Sequence, residues 1–272
     1  MRTHLLVLTS LSLVATTGCP AGGNDDPLPT PDFVGDADLN LYLFGHFDAE
    51  EPLEMQQGVE ALEEQLSEID LTGDQAGRRW NDGEFLTEEH WGGASYWADA
   101  QPLDQVIVSV AGHSAFGPDD HASLIPIEDQ TPFESSSSAA YNREVTGDSD
   151  CFVAGTCDRV TTMNEVHRSN AIVNIWYDTP KVFRWVELSD GRNALVARAW
   201  LEMPFEGQSG NNRLEQFTAL EVRIPDPDGG AVLYTTIWGD LKPPLGDAIV
   251  QNITANGIDE GWEKTDDYLS NQ

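Results

Sequence analysis

The chain has 272 residues, 40% of them hydrophobic, which is enough to bury a core, so the chain as a whole is not disordered. Its 47 acidic residues face 14 lysines and arginines, a formal charge of −33. That balance excludes nucleic acid as a partner, because phosphate binding needs a basic face, and it equally excludes docking on anionic lipid through charge.

In chain order the first feature is an address. Met1 and Arg2 give a short positive start, and residues 5–15 form a mostly apolar run too short to span a bilayer. Thr16-Thr17-Gly18-Cys19 follows. Small residues before a cysteine at the end of such a run resemble a bacterial lipoprotein signal, with Thr16 standing where such signals usually carry leucine. The resemblance implies cleavage before Cys19, a lipid on that cysteine, and a place in the cell envelope, anchored at the outer membrane. Simple secretion with cleavage nearby is the alternative. Residues 20–38 hold four prolines, three glycines and five aspartates and predict a flexible tether. Nineteen such residues reach about 20–25 Å. The expected membrane contact is therefore the lipid and not the protein surface. Without Arg2 the remaining chain carries 47 acids against 13 bases. Such a surface suits high salt, where screening removes self-repulsion.

Residues 39–103 predict a helical and irregular N-terminal extension. The apolar run Leu39 to Phe47 reads either as a strand or as a buried helical start. Pro52 to Ile69 is helical, with Val59, Leu62, Leu66 and Ile69 on one face. Residues 73–102 are irregular, with Trp80, Trp91 and Trp97 as anchors.

Residues 104–272 predict an α+β domain. Val106 to Ala111 is a strand, Asp119 to Asp129 holds short helices, and Ser135 to Ser138 is a loop. Strands are expected over residues 141–145, 161–167 and 171–177. Two hairpins follow: 182–188 and 194–203 joined at Ser189-Asp190-Gly191, then 217–224 and 231–238 joined at Pro225-Asp226-Pro227-Asp228-Gly229-Gly230. The second turn lacks the spaced ligands of a calcium loop. Pro243 and Pro244 break the chain, and Asp247 to Leu269 is a long helix. Ile249, Ile253, Gly257 and Gly261 step along one stripe of it, and the two glycines predict close approach of the helix backbone to a sheet.

The expected architecture is a curved antiparallel sheet of about six or seven strands packed on a long C-terminal helix, with a helical N-terminal extension. In element order and length this resembles the START-like, or helix-grip, superfamily. The resemblance implies a cavity between sheet and helix. Three stretches, Cys151 to Cys157, Phe183 to Gly191 and Asn256 to Gly261, also resemble a family of myxobacterial-type lipoproteins. That likeness implies a family and no activity.

Candidate chemistry is sparse. Cys151 and Cys157 are expected to pair in an exported chain, and so small a ring contributes about 2 kcal/mol. A redox role would want two-residue spacing and no flanking acids, whereas Asp150 and Asp158 flank the pair. Gly112-His113-Ser114-Ala115-Phe116-Gly117 after a strand resembles the nucleophile elbow of α/β-hydrolases, with the second glycine one residue late. Its plain structural reading is a strand end and turn. His113 and His121 flank two aspartates, but no histidine pair has metal-ligand spacing, so no metal and no cofactor is expected. Arg184, Arg198, Trp200, Trp238 and Trp262 are the candidate ligand-binding residues, since arginine beside aromatic faces suits an amphipathic ligand. Their plain structural reading is cross-strand pairing with salt bridges. The leading functional expectation is a non-catalytic, lipid-anchored envelope protein binding a hydrophobic small molecule. A structural or interaction lipoprotein without a cavity is the first alternative. An envelope hydrolase using Ser114 is the second.

Overall fold

The structure is a computed structural model, and it describes residues 36–72, 78–80, 83–87, 90, 105–169, 173–202, 205–206, 213–242 and 246–272. Cys19 and residues 20–35 of the expected tether, as well as Trp91 and Trp97, lie outside the described residues, and the tether's last three residues belong to the first helix. Helices α1 (Asp36–Gly45) and α2 (Pro52–Leu66) come first, followed by the two-residue strand β1 (Arg79–Trp80). After β2 (Val106–Ser114) come a short helix α3 (Pro118–Ala122) and a 3-10 turn at Thr131–Phe133. The next elements are β3 (Ser138–Val145), the short helix α4 (Ser149–Val153), β4 (Arg159–Ser169), β5 (Asn174–Glu187), β6 (Asn193–Trp200) and the two-residue β7 (Phe205–Glu206). The chain ends with β8 (Arg213–Pro225), β9 (Ala231–Lys242) and α5 (Asp247–Leu269).

All strands join one curved antiparallel sheet in the order β1-β2-β9-β8-β6-β5-β4-β3, with β7 paired to β8. Seven of its strands are long, so the expected α+β architecture holds. Both expected hairpins form. Gly191 turns the first at φ 86°, and Gly229 and Gly230 turn the second at φ 108° and 83°. A side chain at Gly230 would also collide with the Ser114 carbonyl oxygen.

The two faces of the sheet have different partners. On the outer face Ile107, Val196, Leu220, Val222, Ile224 and Trp238 pack with α1 and α2 into the largest apolar cluster. Here α2 buries Met55, Val59, Leu62 and Leu66, one helical stripe. The ambiguous run Leu39 to Phe47 forms most of α1 and buries Leu39, Leu41, Leu43 and Phe44 together. An element buried on several sides shows no period, which is why the residues alone left strand and helix open.

Arginines secure the end of α1, where backbone carbonyls lack intrahelical partners. Arg184 Nη1 donates to the Phe47 carbonyl at 2.7 Å. Arg198 donates to the Phe44 carbonyl at 3.4 Å and pairs with Asp48, which Arg159 also reaches at 3.1 Å.

On the inner face Val106, Val108 and Val110 pack against Val250, Ala255, Ile258 and Trp262 of α5. The α5 carboxylate Asp259 binds Arg79 at 2.8 Å and Arg78 at 3.5 Å, and Arg78 donates to the Ala111 carbonyl at 2.6 Å.

Two expectations are corrected, the split of one strand into two and the glycine contacts of α5. The strands expected over 171–177 and 182–188 are not separate: residues 174–177 and 182–187 belong to one continuous strand, β5, which runs through Pro180. Pairing with β6 starts only at Lys181, and proline is tolerated where a neighbour is missing. Residues 149–153 form α4, capped by Asp148 Oδ1 accepting from the Cys151 amide at 2.9 Å. Gly257 and Gly261 do not meet the sheet closely. A Cβ at Gly257 would lie 3.6 Å from Ser135 Oγ and one at Gly261 3.5 Å from the Phe133 carbonyl, both ordinary contacts. The close approach is at Gly112 of β2, where a Cβ would lie 2.7 Å from the Trp262 ring.

Candidate binding cavity

Between the inner face and α5 lies a cavity of about 330 Å³. That is at the lower end of pockets that take drug-sized molecules, about 300–1,000 Å³. Val106, Val108, Phe217, Ile237 and Leu241 line its floor, and Val250, Ile258 and Trp262 lie on the α5 side. Phe133 joins the lining and meets Tyr268 of α5 edge-on, centroids 4.6 Å apart.

The apolar lining is interrupted by charges. Side chains two apart on a strand share a face. Thus Arg143 of β3, Lys181 of β5, and Glu221 and Arg223 of β8 all reach the cavity. The strand between β5 and β8 is β6, which sets small residues on this face beside the charges: Ala197 opposite Phe183 and Ala199 opposite Lys181. The room above them lets Lys181 Nζ cross to Glu221 Oε1 at 2.6 Å. Arg223 donates to Glu221 Oε2 from both Nη atoms at 3.2 Å. Burial alone would push the Glu221 carboxyl up, but Lys181 and Arg223 outweigh it and hold it at about 2. Burial pulls the Lys181 ammonium below its ordinary value, against the attraction of Glu221. A second pair, Arg168 Nη2 with Glu134 Oε2 at 2.9 Å, lies at the β4 side of the cavity.

Arg143 is different. It is 8% exposed, and its Nε donates to Asn164 Oδ1 at 2.9 Å. Its guanidinium stands 5.3 Å from the Phe183 ring centroid and 5.8 Å from that of Tyr141. Among the described residues no carboxylate lies within ion-pair reach of it. Burial pushes the Tyr141 phenol up to about 12 against the pull of Arg143, so its oxygen accepts a hydrogen bond from the guanidinium but carries no charge to answer it.

At one end of the cavity His121 Nε2 lies 3.1 Å from Ser114 Oγ, and Ser114 Oγ donates to Asp266 Oδ1 of α5 at 2.5 Å. The Phe116 amide donates to the same Ser114 oxygen at 3.1 Å. Burial, reinforced by Arg223, lowers His121 to about 3, so the imidazole is neutral at ordinary pH. The Ser114 proton goes to Asp266 and not to the imidazole, whereas the triad arrangement of a nucleophilic serine hands it to histidine. The arrangement fastens α5 to the end of β2. The imidazole Nε2 of His113, by contrast, faces Asp226 at 3.0 Å outside this cluster.

Of the five residues expected to bind ligand, Trp262 alone lines the cavity. Arg184, Arg198, Trp200 and Trp238 stand on the outer face instead. Trp238 is fully buried against Phe44, centroids 5.6 Å apart, and Arg198 lies over Trp200 at 5.6 Å while holding α1. Alternation groups Arg198 with Trp200 correctly but does not say which face carries the cavity. Of the residues missed, Arg143, Lys181, Glu221 and Arg223, two left a signal: Glu221 and Arg223 are charges at alternate positions among the apolar Leu220, Val222 and Ile224, whereas Arg143 stands between Asn142 and Glu144. That pattern ordinarily marks a solvated face. The disulfide Cys151–Cys157 forms, with Cα atoms 5.4 Å apart, and tethers α4 beside Phe152, which stacks on Trp185 at 5.5 Å.

No family model matches the chain, and no curated protein matches it. Solved structures do. A STAR-related lipid transfer protein from Xanthomonas axonopodis aligns at 12% identity and TM-score 0.43, covering 60% of this chain and 85% of that one. Ara h 8.0201 aligns at 12% identity and TM-score 0.38, covering 62% and 100%. A protein from Thermus thermophilus aligns at 11% identity and TM-score 0.40, covering 59% and 94%. These likenesses are too distant to carry a function, which has to come from the cavity.

Proposed function

We propose that this chain is a binding protein that holds a hydrophobic small molecule between the sheet and α5, tethered to an envelope membrane by lipid on Cys19. The observation that carries the binding is the cavity of about 330 Å³ itself. Protein interiors are close-packed, and a void of this size under a long helix is not a by-product of ordinary packing. The tether rests on the resemblance of Thr16-Thr17-Gly18-Cys19 to a lipoprotein signal.

The test starts from chain produced in an oxidising compartment, extracted with organic solvent and weighed by mass spectrometry. A stoichiometric small molecule supports the reading and names the ligand class. A chain that is empty and also fails to bind the neutral fluorophore N-phenyl-1-naphthylamine overturns it. Replacing Ala219, which lines the cavity, with tryptophan is expected to fill the space and abolish probe binding. For the tether, Cys19→Ser is expected to move the protein from the membrane fraction to the soluble fraction.

A further inference from the structure

The charge of the cavity is opposite in sign to that of the chain. Four cations line it, Arg143, Arg168, Lys181 and Arg223, against two carboxylates, Glu134 and Glu221, a surplus of two positive charges. The whole chain has 14 basic residues and a net charge of −33. So four of its few bases point into one apolar space, and the surface acids are not there to meet them. Arg168 and Glu134 answer each other, and Glu221 is shared by Lys181 and Arg223. What remains is Arg143, buried, over two aromatic rings and facing no carboxylate among the described residues. Burying a charge without a counter-ion is costly, and a buried guanidinium normally has one.

We infer that the occupant is an amphipathic anion, its apolar body on the valine and phenylalanine floor and its carboxylate, sulfate or phosphate head on Arg143. The inference rests on the binding reading above and names the ligand class for the same cavity. A guanidinium offers two parallel donors to an oxyanion, which suits this head better than a hydroxyl. Lys181, with Nζ 5.0 Å from the same Phe183 ring, adds to the positive field. The acidic exterior excludes small anions by repulsion, so an apolar body supplies the affinity and the head supplies the selectivity.

Two fluorophores with the same ring system separate the possibilities. One is 1-anilinonaphthalene-8-sulfonate, and the other is the neutral N-phenyl-1-naphthylamine. The full chain is expected to bind the sulfonate about tenfold tighter or more, the range of a charge-assisted hydrogen bond. Arg143→Gln is expected to remove that preference, lowering the sulfonate's affinity about tenfold more than the neutral probe's, and Arg143→Lys to restore part of it. A purely structural Arg143 would weaken both probes alike, which overturns the inference. Equal wild-type binding of both probes, or binding of the neutral one alone, also overturns it but leaves the binding reading standing. If neither binds, both fail. Displacement of the sulfonate probe by inorganic phosphate would assign the site to a free anion and overturn the amphiphile. Should Arg143→Gln fail to fold, the wild-type ratio of the two probes decides.

Discussion

The two faces of the sheet use the same residue types to opposite ends. On the outer face arginines and tryptophans serve the fold. Arg184 and Arg198 bind the carbonyls that end α1, Asp48 completes their charge, and Trp238 fills a dry core. On the inner face Arg143 lies over Phe183 and Tyr141 with no carboxylate to meet it, beside a space that no side chain fills. An arginine among aromatics is therefore not a binding signature by itself. What distinguishes the two settings is whether the chain supplies the counter-ion.

The contrast can be broken first on the outer face. Trp238→Ala is expected to cost about 3–5 kcal/mol, the loss for a large aromatic removed from a packed core. Urea unfolding reads it directly, and a loss below that range would mean the outer core is not dry. A paired comparison sharpens the point. Arg198→Met removes the guanidinium from the Phe44 carbonyl, leaves Asp48 with Arg159 alone, and is expected to destabilise by about 2 kcal/mol. Arg143→Met removes a charge that has no counter-ion, and is expected to leave stability unchanged or raise it by about 1 kcal/mol. Equal losses from both substitutions would erase the distinction between the faces.

Acid stability tests the cavity end. His121 is held at about 3 in the folded chain against an ordinary 6.5. Between those values the unfolded chain binds a proton that the folded chain does not, so stability falls as pH drops from about 6.5 toward 3. One proton corresponds to a slope of about 1.4 kcal/mol per pH unit. His121→Gln keeps a polar group beside Ser114 and is expected to flatten that slope in unfolding measured at stepped pH. Glu221 adds its own loss below 4.5, where the unfolded carboxyl protonates while the folded one, near 2, does not. The smallest effect belongs to Gly257→Ala. With only ordinary contacts at 3.6 Å, the added methyl is expected to stabilise α5 by about 1 kcal/mol through helix propensity. A destabilised variant would restore the close packing inferred from the glycine spacing.

Much of the fold was legible because its signals are local. The Asp190-Gly191 and Gly229-Gly230 turns announce the hairpins, and α5 spans the range its sequence predicts, Asp247–Leu269. Helix α1 was not, because a short segment buried on several sides has no period. The cavity residues were not, for a different reason. Alternation along β5, β6 and β8 sorts residues into two sets, and only the tertiary packing says which set faces α5. The irregularity between Leu214 and Gln216 compounds this, since a bulge exchanges the two sets along one strand.

The Arg143 charge, which has no counter-ion among the described residues, also has a consequence for folding equilibria. An empty cavity leaves that charge desolvated, and any anion that meets it lowers the free energy of the native state alone. Occupancy and folding are then linked: a ligand at a hundred times its dissociation constant adds about 2.7 kcal/mol to the unfolding free energy. Melting temperature thereby becomes a ligand assay, in which amphipathic anions raise the midpoint and their neutral or cationic counterparts do not.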